Sequence, residues 1–221
     1  MNEKQLIAEK AVDFIKDGMI VGLGTGSTAY WAITKIGELV RNGMNIKGVP
    51  TSINTEKLAQ NLNIPLVNIS EIKKIDITID GADEFDENKN VIKGGGGALL
   101  REKIIASITN YYIIIADSSK KVEVLGNFPL PIEVTPFAHE ITIYQLKQLG
   151  CSTNLRLEND KPFITDNKNF IVDCKFNRIN KPEELANKLN SIPGVVEHGL
   201  FSNMADILVT VNNCGEISII E

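Results

Sequence analysis

Apolar residues recur along the chain with two alternating periods. Ile7, Ala11, Phe14 and Ile15 fall at helical spacing within residues 3–17, and Asp17-Gly18 stops that pattern where a C-terminal cap belongs. Residues 19–23 then form a short continuous apolar run, the mark of a buried strand, which leads into Gly24-Thr25-Gly26-Ser27-Thr28. Trp31, Ile33, Ile36, Leu39 and Val40 resume the helical period. Runs at 46–49, 65–69, 75–79 and 111–116 predict further strands, with one helix over 55–62 and another opened by the glycines after Lys93 and carrying Glu102. Alternating β and α elements of these lengths predict a mostly parallel sheet with helices on both faces, a Rossmann-like α/β arrangement.

The character changes at Gly126-Asn127-Phe128-Pro129-Leu130-Pro131, where two prolines and a glycine mark a linker. Beyond it the pattern predicts a strand at 132–134, a helix over 138–149, strands at 153–157 and 170–176, a helix over 182–189 and a strand at 195–201. This β-α-β-β-α-β order is the split arrangement of a smaller ferredoxin-like α+β domain. Two last strands, at 205–211 and 217–220, are joined by a hairpin-like Asn212-Asn213-Cys214-Gly215 and are free to return to the first domain. The expected organisation is therefore a Rossmann-like domain of residues 1–126 and 202–221, with the ferredoxin-like domain at 127–201.

Composition narrows the function classes. With 221 residues and 43% hydrophobic content, the chain can bury a large core. No apolar run approaches the roughly 20 residues needed to cross a bilayer, so no membrane span is expected. The first residues carry mixed charge and lead into a helical pattern instead of a signal-peptide core, which points to a cytoplasmic protein. Cys151, Cys174 and Cys214 are odd in number and lack Cys-x-x-Cys spacing, arguing against a disulfide framework or a zinc site. The net charge of −5 comes without a Lys/Arg block, which speaks against nucleic acid and anionic membrane as partners but leaves an anionic small molecule open.

Candidate chemistry lies at predicted strand ends. Gly24-Thr25-Gly26-Ser27-Thr28-Ala29 satisfies a relaxed dinucleotide pattern, but residues 47–52 lack the ribose-binding acid that a nicotinamide site needs. The hydroxyls of Thr25, Ser27 and Thr28 favour a small phosphorylated ligand at a helix N-terminus; a turn that merely packs helix on strand stays open. Asp80 and Asp83 follow a predicted strand, where open α/β sheets bind ligands, whereas Glu84, Asp86 and Glu87 are expected to form a solvated acidic face. A calcium loop fails at Val91 and Gly97, which replace the required glycine and glutamate. Four consecutive glycines, Gly94 to Gly97, suit close backbone approach to a ligand; Lys93 could supply positive charge to an oxyanion and Glu102 could act as general base. Ser118-Ser119-Lys120-Lys121 could touch a phosphate or be a plain turn. His139 and His198 are isolated and are expected at a surface or interface.

Together these motifs resemble the ribose-5-phosphate isomerases of the A type. Gly22-Leu23-Gly24-Thr25-Gly26-Ser27-Thr28, Asp80-Gly81-Ala82-Asp83-Glu84, Lys93-Gly94-Gly95-Gly96 with Arg101-Glu102-Lys103, and Ala116-Asp117-Ser118-Ser119-Lys120 match in order and spacing. The likeness extends to Phe128-Pro129-Leu130-Pro131-Ile132-Glu133-Val134 and Ile192-Pro193-Gly194-Val195-Val196, so it spans essentially the whole chain. It implies interconversion of D-ribose 5-phosphate and D-ribulose 5-phosphate, a step of the non-oxidative pentose phosphate pathway, without a metal or organic cofactor. It assigns Thr25, Gly26, Ser27, Thr28, Asp80, Gly81, Ala82, Asp83, Lys93, Gly94, Gly95, Gly96 and Lys120 to substrate binding and Glu102 to proton acceptance. In the catalytic set this implies, Lys93 stabilises an enediolate oxygen, while Asp80 and Asp83 orient hydroxyls and assist ring opening. The resemblance also implies a homodimer or homotetramer with the ferredoxin-like domain at the subunit interface, and Gly97 stands where alanine is also familiar. Two rivals are a non-catalytic sugar-phosphate sensor and a nicotinamide-dependent oxidoreductase.

Overall fold

The computed structural model describes residues 2–212 and 216–221. The chain divides into two compact units, Met1–Ala82 with Arg101–Lys121 and Asn203–Glu221, and Asp83–Leu100 with Val122–Ser202. The sequence boundaries put residues 83–100 with the first unit; in the structure they group with the second. The strand Val91–Ile92 there pairs with Glu84–Phe85 and Leu200–Phe201, and the Glu84 carboxylate accepts from the amides of Gly126 and Phe128.

The first unit is built on a six-stranded sheet in the spatial order Ile217–Ile220, Ile207–Val211, Tyr112–Ile115, Ile77–Gly81, Ile20–Leu23, Lys47–Pro50. All neighbours are parallel except the first pair, which is antiparallel. The connection between those two strands, with Asn213, Cys214 and Gly215, lies outside the described residues. Strand alternation divides the sheet's faces. Val21, Leu23, Ile77, Ile79, Ile113, Ile115, Ile207 and Val209 share a core with Ile7, Ala11, Ile33, Ile36 and Ala59, from the helices Glu3–Val12, Ser27–Arg41 and Ile53–Asn61. On the other face, Val49 and Ile75 pack with Ile105 of the helix Leu99–Ser107.

Two expected elements are shorter than their patterns. The first helix ends at Val12 instead of near Asp17, because the amides of Asp13, Phe14 and Ile15 bond three residues back in a tightened turn that keeps Phe14 and Ile15 facing inward. The predicted strand at 65–69 is reduced to a single bridge between Leu66 and Gly48, followed by a turn at Ile69–Glu71 that the Asn68 side chain caps.

The second unit carries a four-stranded antiparallel sheet in the order Val195–His198, Leu130–Val134, Phe170–Lys175, Ser152–Leu155. With the helices His139–Lys147 and Pro182–Asn190 this is the ferredoxin-like β-α-β-β-α-β order. Leu130, Ile132, Val134, Val172 and Cys174 form one face and pack with Leu146 and Leu189 of the two helices. The strand predicted at 195–201 breaks at Gly199, whose amide donates to Pro131 and whose carbonyl accepts from Lys93. The chain thereby passes from one sheet to another. His198, expected at a surface or interface, is buried, and its Nδ1 accepts from the Leu200 amide at 3.3 Å.

Candidate active site

In the first unit, three adjacent parallel strands end side by side, and their C-terminal loops collect the candidates: Gly24–Thr28 after Ile20–Leu23, Asp80–Ala82 at the end of Ile77–Gly81, and Asp117–Lys120 after Tyr112–Ile115. Such carboxyl ends are where open α/β sheets bind ligands. The helix Ser27–Arg41 begins here, with Gly26 as its cap, no acidic residue in its first turn and no side-chain cap. Its leading amides therefore remain for an anion. Ser27 is exposed and Thr28 buried.

Thr25 is used differently from Ser27. Its hydroxyl lies 2.7, 2.9 and 3.2 Å from those of Thr51, Ser52 and Thr55, and Thr51 and Thr55 in turn donate to the carbonyls of Leu23 and Gly24. This hydroxyl cluster braces the turn from below, while the Thr25 amide donates to Asp80 Oδ1 at 3.0 Å. Gly24 permits the approach, because a Cβ there would lie 2.6 Å from both the Asp80 Cα and the Ile79 carbonyl oxygen.

Asp80 is fully buried at the end of its strand. It shares a sheet face with Thr78 and Tyr112, and the Tyr112 hydroxyl donates to Asp80 Oδ2 at 3.3 Å. Burial first, then the charges of Asp80 and Glu102, push the Tyr112 phenol well above the ordinary tyrosine range. Asp80 and Glu102 thus bear on one neutral hydroxyl. Glu102 sits in the first turn of Leu99–Ser107 and is 4% exposed, so it is not the solvent-facing helix carboxylate that its position alone would suggest.

Lys120 closes the turn Ser118–Lys120, in which Asp117 accepts from the Ser119 amide and hydroxyl. Sequence reasoning missed a second cation here. Lys4, in the first turn of the N-terminal helix, donates to the Ser27 hydroxyl at 3.0 Å and lies 3.9 Å from Asp117, while its neighbour Glu3 accepts from Ser118. One lysine in an ordinary amphipathic helix gives no local signal; only the fold brings it to Ser27.

In the second unit, Asp83 and the glycine loop form a set of their own. The Asp83 amide donates to Ile92, and its Oδ2 accepts from the Gly95 amide at 2.7 Å. Lys93 is 2% exposed, with its ammonium 5.7 Å from the centre of the Phe201 ring. Gly94 is buried and Gly95 and Gly96 are exposed, so the loop presents bare backbone. Two of the three acids expected to form a solvated face are instead buried. Glu84 is 2% exposed and holds the Gly126 and Phe128 amides at 2.6 and 3.0 Å; Asp86 is 7% exposed and accepts from the Asn88 and Asn90 amides and the Asn90 side chain. Both satisfy buried loop backbone, and Glu87 alone of the three is exposed. Among the described residues no three His, Cys, Asp or Glu side chains gather as a metal site, and no helix is long and apolar enough to cross a membrane.

Comparison with known proteins identifies the family. Residues 47–215 match the model of the family described as ribose 5-phosphate isomerase A (phosphoriboisomerase A). Ribose-5-phosphate isomerase A of Bacillus cereus is 55% identical over 220 residues, covering 98% of this chain and 100% of that protein. Its counterpart in Listeria monocytogenes is 48% identical over 100% of this chain and 99% of its own. A D-ribose-5-phosphate isomerase solved in complex with phospho-erythronic acid matches with a TM-score of 0.96 at 41% identity, and both chains are covered in full (100%). The Methanocaldococcus jannaschii ribose 5-phosphate isomerase A structure matches with a TM-score of 0.93 at 39% identity, covering 99% of this chain and 97% of that one. With the shared motifs, strand-end geometry and full-length likeness, this chain belongs to the ribose 5-phosphate isomerase A family.

Proposed function

We propose that this protein interconverts D-ribose 5-phosphate and D-ribulose 5-phosphate. The observation that carries this reading is the gathering of a phosphate-type helix N-terminus, Asp80 and Lys120 at three adjacent strand ends, in a chain of this family. An aldose–ketose exchange moves a proton from C2 of the open sugar to C1 through an enediolate, and one carboxylate can make both transfers. Glu102 is that base. The Ser27 and Thr28 hydroxyls, the first amides of their helix, Lys120 and Lys4 hold the phosphate.

Lys93 and the amides of Gly94 and Gly96 in the glycine loop oppose the charge that develops on the enediolate oxygen, while the Gly95 amide holds Asp83. Asp80 and Asp83 orient the sugar hydroxyls and assist ring opening, with Gly81 and Ala82 supplying backbone between them. Thr25 and Gly26 shape the phosphate turn. Phospho-erythronic acid, the ligand of the solved relative, carries a carboxylate where the enediolate would develop, and so serves as a probe of this chemistry.

The same reading takes the protein as a cytoplasmic homo-oligomer, a homodimer or homotetramer. Ile141 and Tyr144, three residues apart on the helix His139–Lys147 and 61 and 65% exposed, support it together with Phe137, 88% exposed just before that helix, as apolar area suited to cover. Sedimentation at assay concentration tests the assembly.

A coupled assay of ribulose 5-phosphate formation in the presence of EDTA tests the activity. Turnover there rejects the sensor, the oxidoreductase and a requirement for a chelatable metal together. In the same assay Glu102→Gln is expected to lose about 10³-fold or more in kcat while still binding phospho-erythronic acid. Near-normal turnover by that variant would remove Glu102 from the role of base.

A further inference from the structure

The second unit contains a clamp that the reaction scheme leaves without a role. Arg156 lies between the strands Ser152–Leu155 and Leu157–Glu158, and its backbone is held on both sides, by Ile171 O at 2.8 Å and by the Phe163 amide at 2.8 Å. Its guanidinium forks onto Asp173, Nε to Oδ2 at 2.9 Å and Nη2 to Oδ1 at 2.5 Å. The remaining nitrogen, Nη1, donates to two carbonyls of the glycine loop, Gly94 O at 3.1 Å and Gly95 O at 2.9 Å. Four of the five N–H groups of a planar fork are thereby committed in one geometry, which an ammonium on a flexible stem cannot reproduce.

The consequence follows from peptide planarity. In a trans peptide the carbonyl oxygen and the next N–H point to opposite edges of one plane. Arg156 holds the Gly94 oxygen, so the Gly95 N–H is aimed the other way, at Asp83 Oδ2, 2.7 Å distant. That plane is gripped at both edges. Arg156 also holds the Gly95 oxygen, and this sets the direction of the Gly96 N–H. The Gly97 amide closes the loop by donating to Gly94 O at 2.9 Å. Gly97 has φ +78°, and a Cβ there would strike the Phe163 ring, which itself lies 5.7 Å from the guanidinium carbon. An alanine there would have to adopt this left-handed backbone and displace the Phe163 ring.

We propose that Arg156, oriented by Asp173, is a positioning residue for the isomerase reaction: it sets the direction of the Gly95 and Gly96 amides and with it the orientation of the Asp83 carboxylate. Four glycines in a row would otherwise sample many conformations, and the clamp selects one before substrate arrives. This rests on the isomerase reading above.

The test compares the unaltered protein with Arg156→Ala, Arg156→Lys and Asp173→Asn in the ribulose 5-phosphate assay, with circular dichroism confirming the fold of each. The expected result is a fall of about 10- to 100-fold in kcat for both Arg156 variants and a smaller fall for Asp173→Asn. KM should stay within about threefold, because the phosphate is held by other residues. Affinity for phospho-erythronic acid should drop by a factor similar to that in kcat. Should Arg156→Ala fail to fold, Arg156→Lys and Asp173→Asn carry the comparison. Folded variants with kcat within about twofold of the unaltered protein overturn the proposal, as does a loss confined to thermal stability. If the unaltered protein makes no ribulose 5-phosphate, the functional reading falls and the inference with it; if it does and the variants match it, the inference alone falls.

Discussion

The backbone amide of Thr25 donates to Oδ1 of Asp80 at 3.0 Å, tying the glycine turn after one strand to the carboxylate that ends its neighbour. The candidate phosphate turn and a candidate catalytic carboxylate are therefore one rigid assembly. Gly24 is the residue that allows it. Replacement of Gly24 by Ala is expected to push the turn off Asp80, costing about 1–3 kcal/mol in urea denaturation through overpacking. Activity should fall by about 100-fold, since the displaced groups are those that position substrate.

Lys4 separates phosphate affinity from chemistry. It touches Ser27 but none of the residues proposed to move protons. Lys4→Ala is expected to raise KM for ribose 5-phosphate about tenfold, the worth of one charge-assisted hydrogen bond, with kcat nearly unchanged. Steady-state kinetics at fixed ionic strength decide it; a fall in kcat with unchanged KM would contradict the assignment.

Glu84 should behave as a structural residue although it adjoins Asp83. Its carboxylate satisfies two loop amides in the second unit. Glu84→Ala leaves both without their acceptor and is expected to cost about 3 kcal/mol in denaturant unfolding. Glu84→Gln, which keeps one acceptor oxygen, should cost about half of that. In either variant the fraction that remains folded should turn over normally.

Tyr112 sets an alkaline limit. Its hydroxyl is neutral in the folded protein, with a pKa raised by burial and by the charges of Asp80 and Glu102, whereas in the unfolded chain it ionises near pH 10. Above about pH 10 the unfolded state releases a proton that the native state keeps, so stability is fully present below that pH and declines as pH rises toward the folded value. Tyr112→Phe is expected to flatten the decline between pH 9 and 11 in chemical denaturation. An unchanged slope would mean that other groups carry it.

The stretch 75–80 shows how much of the site could be read locally. Ile77 and Ile79 alternate with Asp76, Thr78 and Asp80; the isoleucines face the core shared with the N-terminal helices, whereas Ile75, just before the strand, packs with Val49 and Ile105, and the polar set includes the carboxylate that meets Thr25 and Tyr112. The period of two was present in the residues, and so was the opposite-face placement of Asp80. Glu84 was misread because an acid between glycine and asparagine resembles a solvated turn, while the amides it satisfies at Gly126 and Phe128 lie 42 and 44 residues away; Asp86 instead closes its own turn on the amides of Asn88 and Asn90.

The sequence by itself determined the element types, the split β-α-β-β-α-β order, the glycine turns and the motifs of an isomerase family, because each depends on side-chain period or backbone permissiveness over a few consecutive residues. Tertiary structure alone decided which distant groups complete them: Lys4 beside Ser27, 23 residues on; Arg156 on the carbonyls of Gly94 and Gly95, 62 and 61 residues back; and the break at Gly199 that sends one predicted strand into two sheets. Such pairings are fixed by strand order and by the need of buried polar groups for a partner, and neither leaves a periodic trace in the chain.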